Sequence, residues 1–259
     1  MTLPTLFVSH GAPTLLLDDT PARTFLEGLG RELPRPEAVV VLSAHWETVA
    51  PTVAVTASPR TIHDFHGFPA PLYSITYPAP GAPELGRRIA ADLVAAGLDA
   101  GVDPQWGLDH GAWQVLRLMY PAADIPVLQV SVQPAAGTAH HLALGRALAS
   151  LRRDGILVMG SGGLTHNLRE FGRHGLSDPA PEWVREFADW VDERLHAGDE
   201  EALLDYRRRA PGAARNHPTE EHFLPLFAAM GAAGPSWNAR RQHSSTTYGV
   251  LRMDAYAFS

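Results

Sequence analysis

Three apolar runs of this chain stop at, or a few residues short of, a histidine: Leu6-Phe7-Val8-Ser9-His10, Val39-Val40-Val41-Leu42-Ser43-Ala44-His45, and Ile156-Leu157-Val158-Met159 followed by Gly160-Ser161-Gly162-Gly163-Leu164-Thr165-His166. Short β-branched or leucine-rich runs of this kind are the pattern of strands buried on both faces of a parallel sheet. In an open α/β sheet the carboxyl ends of such strands share one edge, so residues just beyond them meet in one crevice however distant in sequence. Neutral imidazole is the commonest protein ligand for a divalent metal. The pattern predicts an α/β fold with a histidine-built metal site at the carboxyl ends of the strands.

The rest of the chain supports alternation of strand and helix. Buried strands are predicted at residues 3–9, 38–44, 52–56, 126–132 and 155–159, and helices at 84–96, 112–119, 139–152, 181–196 and 223–233. This order favours a mostly parallel central sheet flanked by helices. Strand-like stretches at 246–250 and 253–258 would close an edge. With 259 residues and 45% hydrophobic content, the chain can bury one large core, and we expect one domain over 1–259.

Composition removes several chemistries. There is no cysteine, hence no disulfide, thiolate zinc cluster, iron–sulfur centre or cysteine nucleophile. All 21 basic residues are arginine, which excludes a Schiff-base lysine and a phosphate-loop lysine. A net charge of −7 without a basic stripe argues against nucleic-acid binding. No apolar run reaches the roughly 18 residues of a membrane span, and the first residues read as strand and not as the basic and apolar regions expected of a secretory leader. The expectation is a soluble, cytoplasmic protein with a small-molecule partner, no nucleic acid and no membrane; the pattern specifies no oligomeric state.

Three irregular excursions are placed to roof the crevice: proline-rich 58–83 with Ile62-His63-Asp64-Phe65-His66-Gly67-Phe68, 101–111 ending in Trp106-Gly107-Leu108-Asp109-His110-Gly111, and about 207–222. Long ordered loops in compact domains are often functional. Two helix starts compete in the last. A start at Thr219 would put Pro225 in the second turn, where its missing N–H forfeits a hydrogen bond; a start at Phe223 puts it in the first turn, where none is lost. The later start is favoured, leaving His222 at the junction of loop and helix with Glu221 beside it.

Blander readings compete at several of the 13 histidines. His140, His141, His174, His196 and His243 lie in polar contexts that call for nothing beyond solvent-facing or capping roles. Gly160-Ser161-Gly162-Gly163 offers a phosphate-cradling nest or, at Ser161, a hydrolase nucleophile, but its spacing fits neither motif.

Ser9-His10-Gly11-Ala12-Pro13, Ser43-Ala44-His45-Trp46, Thr61-Ile62-His63-Asp64-Phe65 with Gly67-Phe68-Pro69, Tyr77-Pro78-Ala79-Pro80-Gly81, Asp109-His110-Gly111, Thr165-His166-Asn167-Leu168 and Glu221-His222-Phe223-Leu224-Pro225 together resemble the motif series of the DODA-type extradiol ring-opening dioxygenases, in the class III, LigB-like superfamily. The resemblance runs in order from the first strand to about Gly231. It implies an α/β domain holding one non-haem metal, beside which O₂ cleaves a catechol next to its two hydroxyls. Carried over by position, His10, His45 and His222 are the metal ligands, His166 the acid and base and a possible fourth ligand, and His110 a histidine near the substrate. The protocatechuate-cleaving branch resembles a two-histidine, one-carboxylate triad, whereas here the third position is histidine with Glu221 adjacent, which leaves both ligand sets open.

The residue types suit that chemistry. Three protein ligands leave coordination positions for substrate and O₂. Fe(II) can pass an electron between them; Zn(II), which can occupy such a site after purification, has no accessible redox change. His166, as an imidazole, is suited to accept and return the catechol proton. Phe65, Phe68, Tyr73, Trp106 and Trp113 could pack a flat ring, whether DOPA-like or another substituted catechol. The alternatives are a zinc-dependent hydrolase with Glu221 as general base and a Memo-like non-enzymatic binding protein.

Overall fold

The computed structural model describes residues 2–259. Its first half contains strand β1 (Thr5–Ser9), helix α1 (Pro21–Glu32), β2 (Ala38–Glu47), β3 (Thr52–Ala54), α2 (Pro83–Ala95), β4 (Gly101–Asp103), α3 (His110–Met119) and β5 (Val127–Val132). The second half adds α4 (Gly137–Leu148), β6 (Ile156–Gly162), α5 (Glu182–Ala197), the short helices α6 (Glu200–Leu204), α7 (Tyr206–Arg209) and α8 (Ala213–Asn216), α9 (Leu224–Ala232), β7 (Ala239–His243), β8 (Thr246–Thr247), β9 (Leu251–Arg252) and β10 (Ala255–Phe258). Eight strands form one sheet in the order β4-β3-β5-β2-β6-β1-β10-β7. The central pairings β5/β2, β2/β6 and β6/β1 are parallel, while β10 and β7 add antiparallel strands beyond β1.

Alternation along each strand divides the core between two faces. Val39 and Val41 join Leu6, Val8, Leu157 and Met159 under α1 and α3. Val40 and Leu42 join Val130 and Val158 under α2 and α4 on the other face. There Phe7, Tyr256 and Phe258 pack with Phe187 of α5 and Phe227 of α9. The helices begin where local chemistry supports them: Thr20 caps α1 by accepting from the Arg23 N–H, with Pro21 in the first turn. α9 runs from Leu224, so Pro225 stands in its first turn as the later start required.

Several expectations need correction. β2 does not stop at residue 44; it continues to Glu47, and its pairing with β5 shifts between Leu42 and Glu47, an irregularity that re-aims the side chains around His45. The strand expected over 246–250 is confined to Thr246–Thr247, because the backbone turns left-handed at Tyr248 (φ 50°) and Gly249 (φ 65°). It pairs with β9 in a separate two-stranded sheet, so the sheet edge is supplied by polar β7 instead. The excursion over 101–111 contains β4, which pairs with β3 at the opposite edge.

Candidate metal centre

His10 follows β1 directly, His45 lies in the last part of β2, and His166 lies beyond β6, which is hydrogen-bonded between those two strands. His222 arrives from the far side of the chain because α9 presses close to β6: a Cβ on Gly162 would stand 2.1 Å from the His222 carbonyl oxygen, which also accepts the Gly163 N–H at 2.9 Å. Gly160, whose Cβ would stand 2.1 Å from the Pro225 carbonyl oxygen, and Gly162 thus serve close packing. Ser161 is likewise occupied. Its buried hydroxyl donates to the Gly111 carbonyl and accepts from His10, a poor situation for a nucleophile.

The centre is defined by three ring nitrogens. His45 Nε2 lies 3.0 Å from His10 Nε2 and 3.3 Å from His222 Nε2. On each ring the other nitrogen faces an oxygen: His10 Nδ1 is 3.0 Å from Ser161 Oγ, His45 Nδ1 is 3.3 Å from Asp64 Oδ2, and His222 Nδ1 is 3.0 Å from Glu221 Oε1. The Ser161 hydroxyl proton is committed to Gly111, and the carboxylates have none to give, so each Nδ1 carries the proton and each Nε2 turns a bare lone pair toward one point. Three such lone pairs repel one another without a cation between them. A metal–nitrogen bond of about 2.1 Å sets ligand nitrogens about 3.0 Å apart at a right angle and about 3.4 Å apart at the tetrahedral angle. The observed spacings fit a divalent first-row ion held by His10, His45 and His222.

Burial reinforces that chemistry. His10 and His222 are pushed well below the usual imidazole pKa, first by desolvation and then by neighbouring imidazoles. Both are therefore neutral, as ligands must be. His166 stacks face to face on His222, with ring centroids 3.4 Å apart, and desolvation followed by the proximity of His110 brings its pKa to about 4. His110 opens α3, whose N-cap Asp109 is fully buried and takes hydrogen bonds from Ser43 Oγ at 2.6 Å and Gln129 Nε2 at 2.7 Å. Burial, with Asp64 nearby, raises Asp109 to about 6.

All five histidines singled out from the sequence line one cavity of about 450 Å³. Phe65 and Phe68 line it as well, from the first excursion. Tyr73, Trp106 and Trp113 do not. Trp106 stacks on Trp46, and Trp113 is buried and donates to the Ile62 carbonyl, so both serve packing. Sequence reasoning gave no role to Asp64, whose two oxygens take the His110 backbone N–H and Nδ1–H, each at 2.9 Å, while one also faces His45. Its place between two histidines in the excursion was the available signal.

Comparison with known proteins gives this centre its class. The sequence matches the family described as "Catalytic LigB subunit of aromatic ring-opening dioxygenase" over residues 4–258. It is 44% identical to "4,5-DOPA dioxygenase extradiol" of Beta vulgaris, covering 98% of this chain and 96% of the relative. It is 43% identical to the protein of the same name from Escherichia coli K12, covering 89% and 85%. A crystal structure of an uncharacterized protein of Escherichia coli K12 superposes with a TM-score of 0.81 at 36% identity, covering 98% of this chain and 99% of that one. The chain belongs to the LigB family and is an extradiol aromatic ring-opening dioxygenase. Among the described residues no helix is long and apolar enough to cross a membrane.

Proposed function

We propose that the chain cleaves a catechol with O₂ at an Fe(II) ion held by His10, His45 and His222, with His166 as acid and base and His110 at the substrate. The observation that carries this reading is the convergence of three bare Nε2 lone pairs, each fixed by an oxygen behind its ring. Iron(II), when bound there, supplies the electron path between catecholate and O₂ that zinc lacks. Relatives named for DOPA and for dihydroxyphenylpropionate, both catechols, support the substrate class.

The chain's own residues do the rest. His166, neutral at pH 7 because it is buried, is able to accept the catechol proton and return it to the opened product. His110, oriented by Asp64 through both its ring and its backbone N–H, lines the cavity beside the proposed metal histidines. Phe65 stands edge-on to the His110 ring, 5.6 Å away, and helps close the cavity against water. The hydrolase alternative needs Glu221 free as a base. Here Glu221 Oε1 accepts from His222 Nδ1 and Thr219 Oγ1, each at 3.0 Å, which suits this carboxylate to orienting the His222 ring.

After anaerobic ferrous loading, a panel of catechols should show oxygen uptake with a yellow ring-opened product. No uptake from any of them sinks the assignment. His166→Ala should retain the metal and lose roughly 10²–10⁴-fold in kcat. Loss of metal in that variant would make His166 a ligand.

A further inference from the structure

His10, His45, His110 and His222 each have an oxygen behind Nδ1. His166 is placed differently, by its stack on His222 and by the backbone that carries it. That backbone is clamped by residues 212–217, which precede His222 in the same excursion. The His166 N–H donates to the Asn216 carbonyl at 3.0 Å, and Asn167 Nδ2 donates to the Arg215 carbonyl at 2.6 Å. Asn216 is itself anchored, since its Nδ2 donates to the carbonyls of Gly212 and of Trp183 in α5, each at 3.1 Å. The third contact comes from a side chain. His217 donates Nε2–H to the carbonyl of Leu164, two residues before His166, at 2.9 Å.

Packing alone does not call for a histidine at 217. The ring is fully buried against Phe187, Phe223 and Tyr206, with centroids 5.5, 4.9 and 6.4 Å away. Desolvation brings its pKa to about 3, so the ring is neutral and its one proton sits on Nε2. Nδ1 is then a bare lone pair with no partner among the described residues, a situation that costs stability and that a phenyl ring would not create. What the imidazole adds over a phenyl ring is the donor to Leu164. Resting on the reading of His166 as acid and base, we propose that His217 is a positioning residue for that proton transfer: through the Leu164 carbonyl it fixes segment 164–166, and with it the His166 ring against His222. His217 itself does not line the cavity. One excursion thus carries both His222 and the clamp on the ring stacked upon it.

Three replacements separate the hydrogen bond from the packing. Glutamine carries its amide nitrogen at the place of Nε2 and keeps the donor; asparagine stops at the place of Nδ1, and phenylalanine has no donor. In ferrous-loaded His217→Asn and His217→Phe, kcat and kcat/KM for catechol should fall together by about 10²-fold, with KM little changed. His217→Gln should recover most of that loss. Metal affinity, read by chelator competition, should match the unsubstituted protein in all three. Apart from turnover, amide hydrogen exchange in the metal-free protein should quicken about tenfold at His166 in His217→Asn and His217→Phe and return in His217→Gln, while amides of β2 and β6 keep their rates. Unchanged exchange at His166, or a kcat as low in His217→Gln as in His217→Phe, overturns the proposal. A metal affinity that falls in step with kcat also overturns it, by placing His217 behind His222. Loss of protection throughout the sheet, or failure of both His217→Asn and His217→Phe to fold, would make His217 a packing residue and nothing more. Absence of oxygen uptake by the unsubstituted protein with every catechol removes the ring-cleavage reading, a result distinct from any in the exchange measurement.

Discussion

Asp64 serves three donors with two oxygens, and two of them lie on imidazoles that the proposed chemistry needs in fixed orientation. The carboxylate takes the His110 backbone N–H and Nδ1–H and faces His45 Nδ1, so one side chain from the proline-rich excursion sets the tautomers of both rings. It is a positioning residue: it holds the rings and touches neither metal nor substrate in this role. Asp64→Ala should lower metal affinity by about 10–100-fold, the usual effect of removing a partner behind a ligand histidine. Chelator competition measures this separately from turnover. Asp64→Asn, which keeps an acceptor oxygen, should recover part of the affinity, and equal metal affinity in all three proteins would remove Asp64 from the centre. Space is as tightly specified as hydrogen bonding. At Gly111 an added Cβ would stand 2.5 Å from Ser43 Oγ and 3.2 Å from His10 Nδ1, so the second residue of α3 must be glycine for His10 to keep its place.

At the scale of elements, the exit of β5 and the start of α4 are joined through His141. This fully buried ring takes the Gln133 N–H on Nε2 at 3.1 Å and donates Nδ1–H to the Gly137 carbonyl at 2.7 Å. Accepting the Gln133 N–H requires the neutral form, and burial lowers the pKa to about 4 from the ordinary 6.5. The sign follows directly: above the unfolded value neither state is protonated, and between there and about 4 the unfolded chain binds a proton that the folded one refuses, so stability falls with pH. Its contribution, about 3 kcal/mol in full, should cost the protein about 2 kcal/mol between about pH 7 and about pH 5. Urea unfolding at several pH values should show His141→Gln losing correspondingly less over that interval; an identical pH dependence would refute the assignment. The sequence showed His141 only as a histidine in a polar helix, since its partners, the Gln133 N–H and the Gly137 carbonyl, come to it only when the end of β5 is folded against α4. The elements that were legible carried their own signals: apolar β2, β5 and β6, and the first-turn Pro225 of α9. Helix α1 was legible too, through Thr20-Pro21, but it was not assigned. Strands β4 and β7 were not legible, because mostly exposed or polar residues become strands there only through pairing with β3 and β10. At the centre, histidines at strand ends announced themselves, whereas the acceptors behind them, Ser161 and Asp64, acquire meaning only once the chain is folded.

For the whole molecule, the proposed metal centre would be a cross-link between distant parts of the polypeptide. His10 belongs to the central sheet's first strand end, His45 to β2 and His222 to the entry of α9, so one ion would tie together segments separated by up to 212 residues of chain (222 less 10). Without a cation, three bare lone pairs held about 3 Å apart are a local source of repulsion, and they persist because the surrounding sheet and α9 fix their positions. Binding relieves the repulsion in the folded state alone, and mass action then converts affinity into stability. At a metal concentration about 100 times the dissociation constant the gain is about 2.7 kcal/mol, which for a chain of this size raises Tm by roughly 5–10 °C. Scanning calorimetry of chelator-stripped protein, with and without Fe(II) under anaerobic conditions or with Zn(II) as a redox-inert substitute, should show that rise. Chelation should reverse it. In His10→Ala the rise should largely vanish, while variants of His196, an exposed histidine remote from the cavity, should retain it in full. A metal-induced rise that survives replacement of His10, His45 and His222 together would place the ion elsewhere.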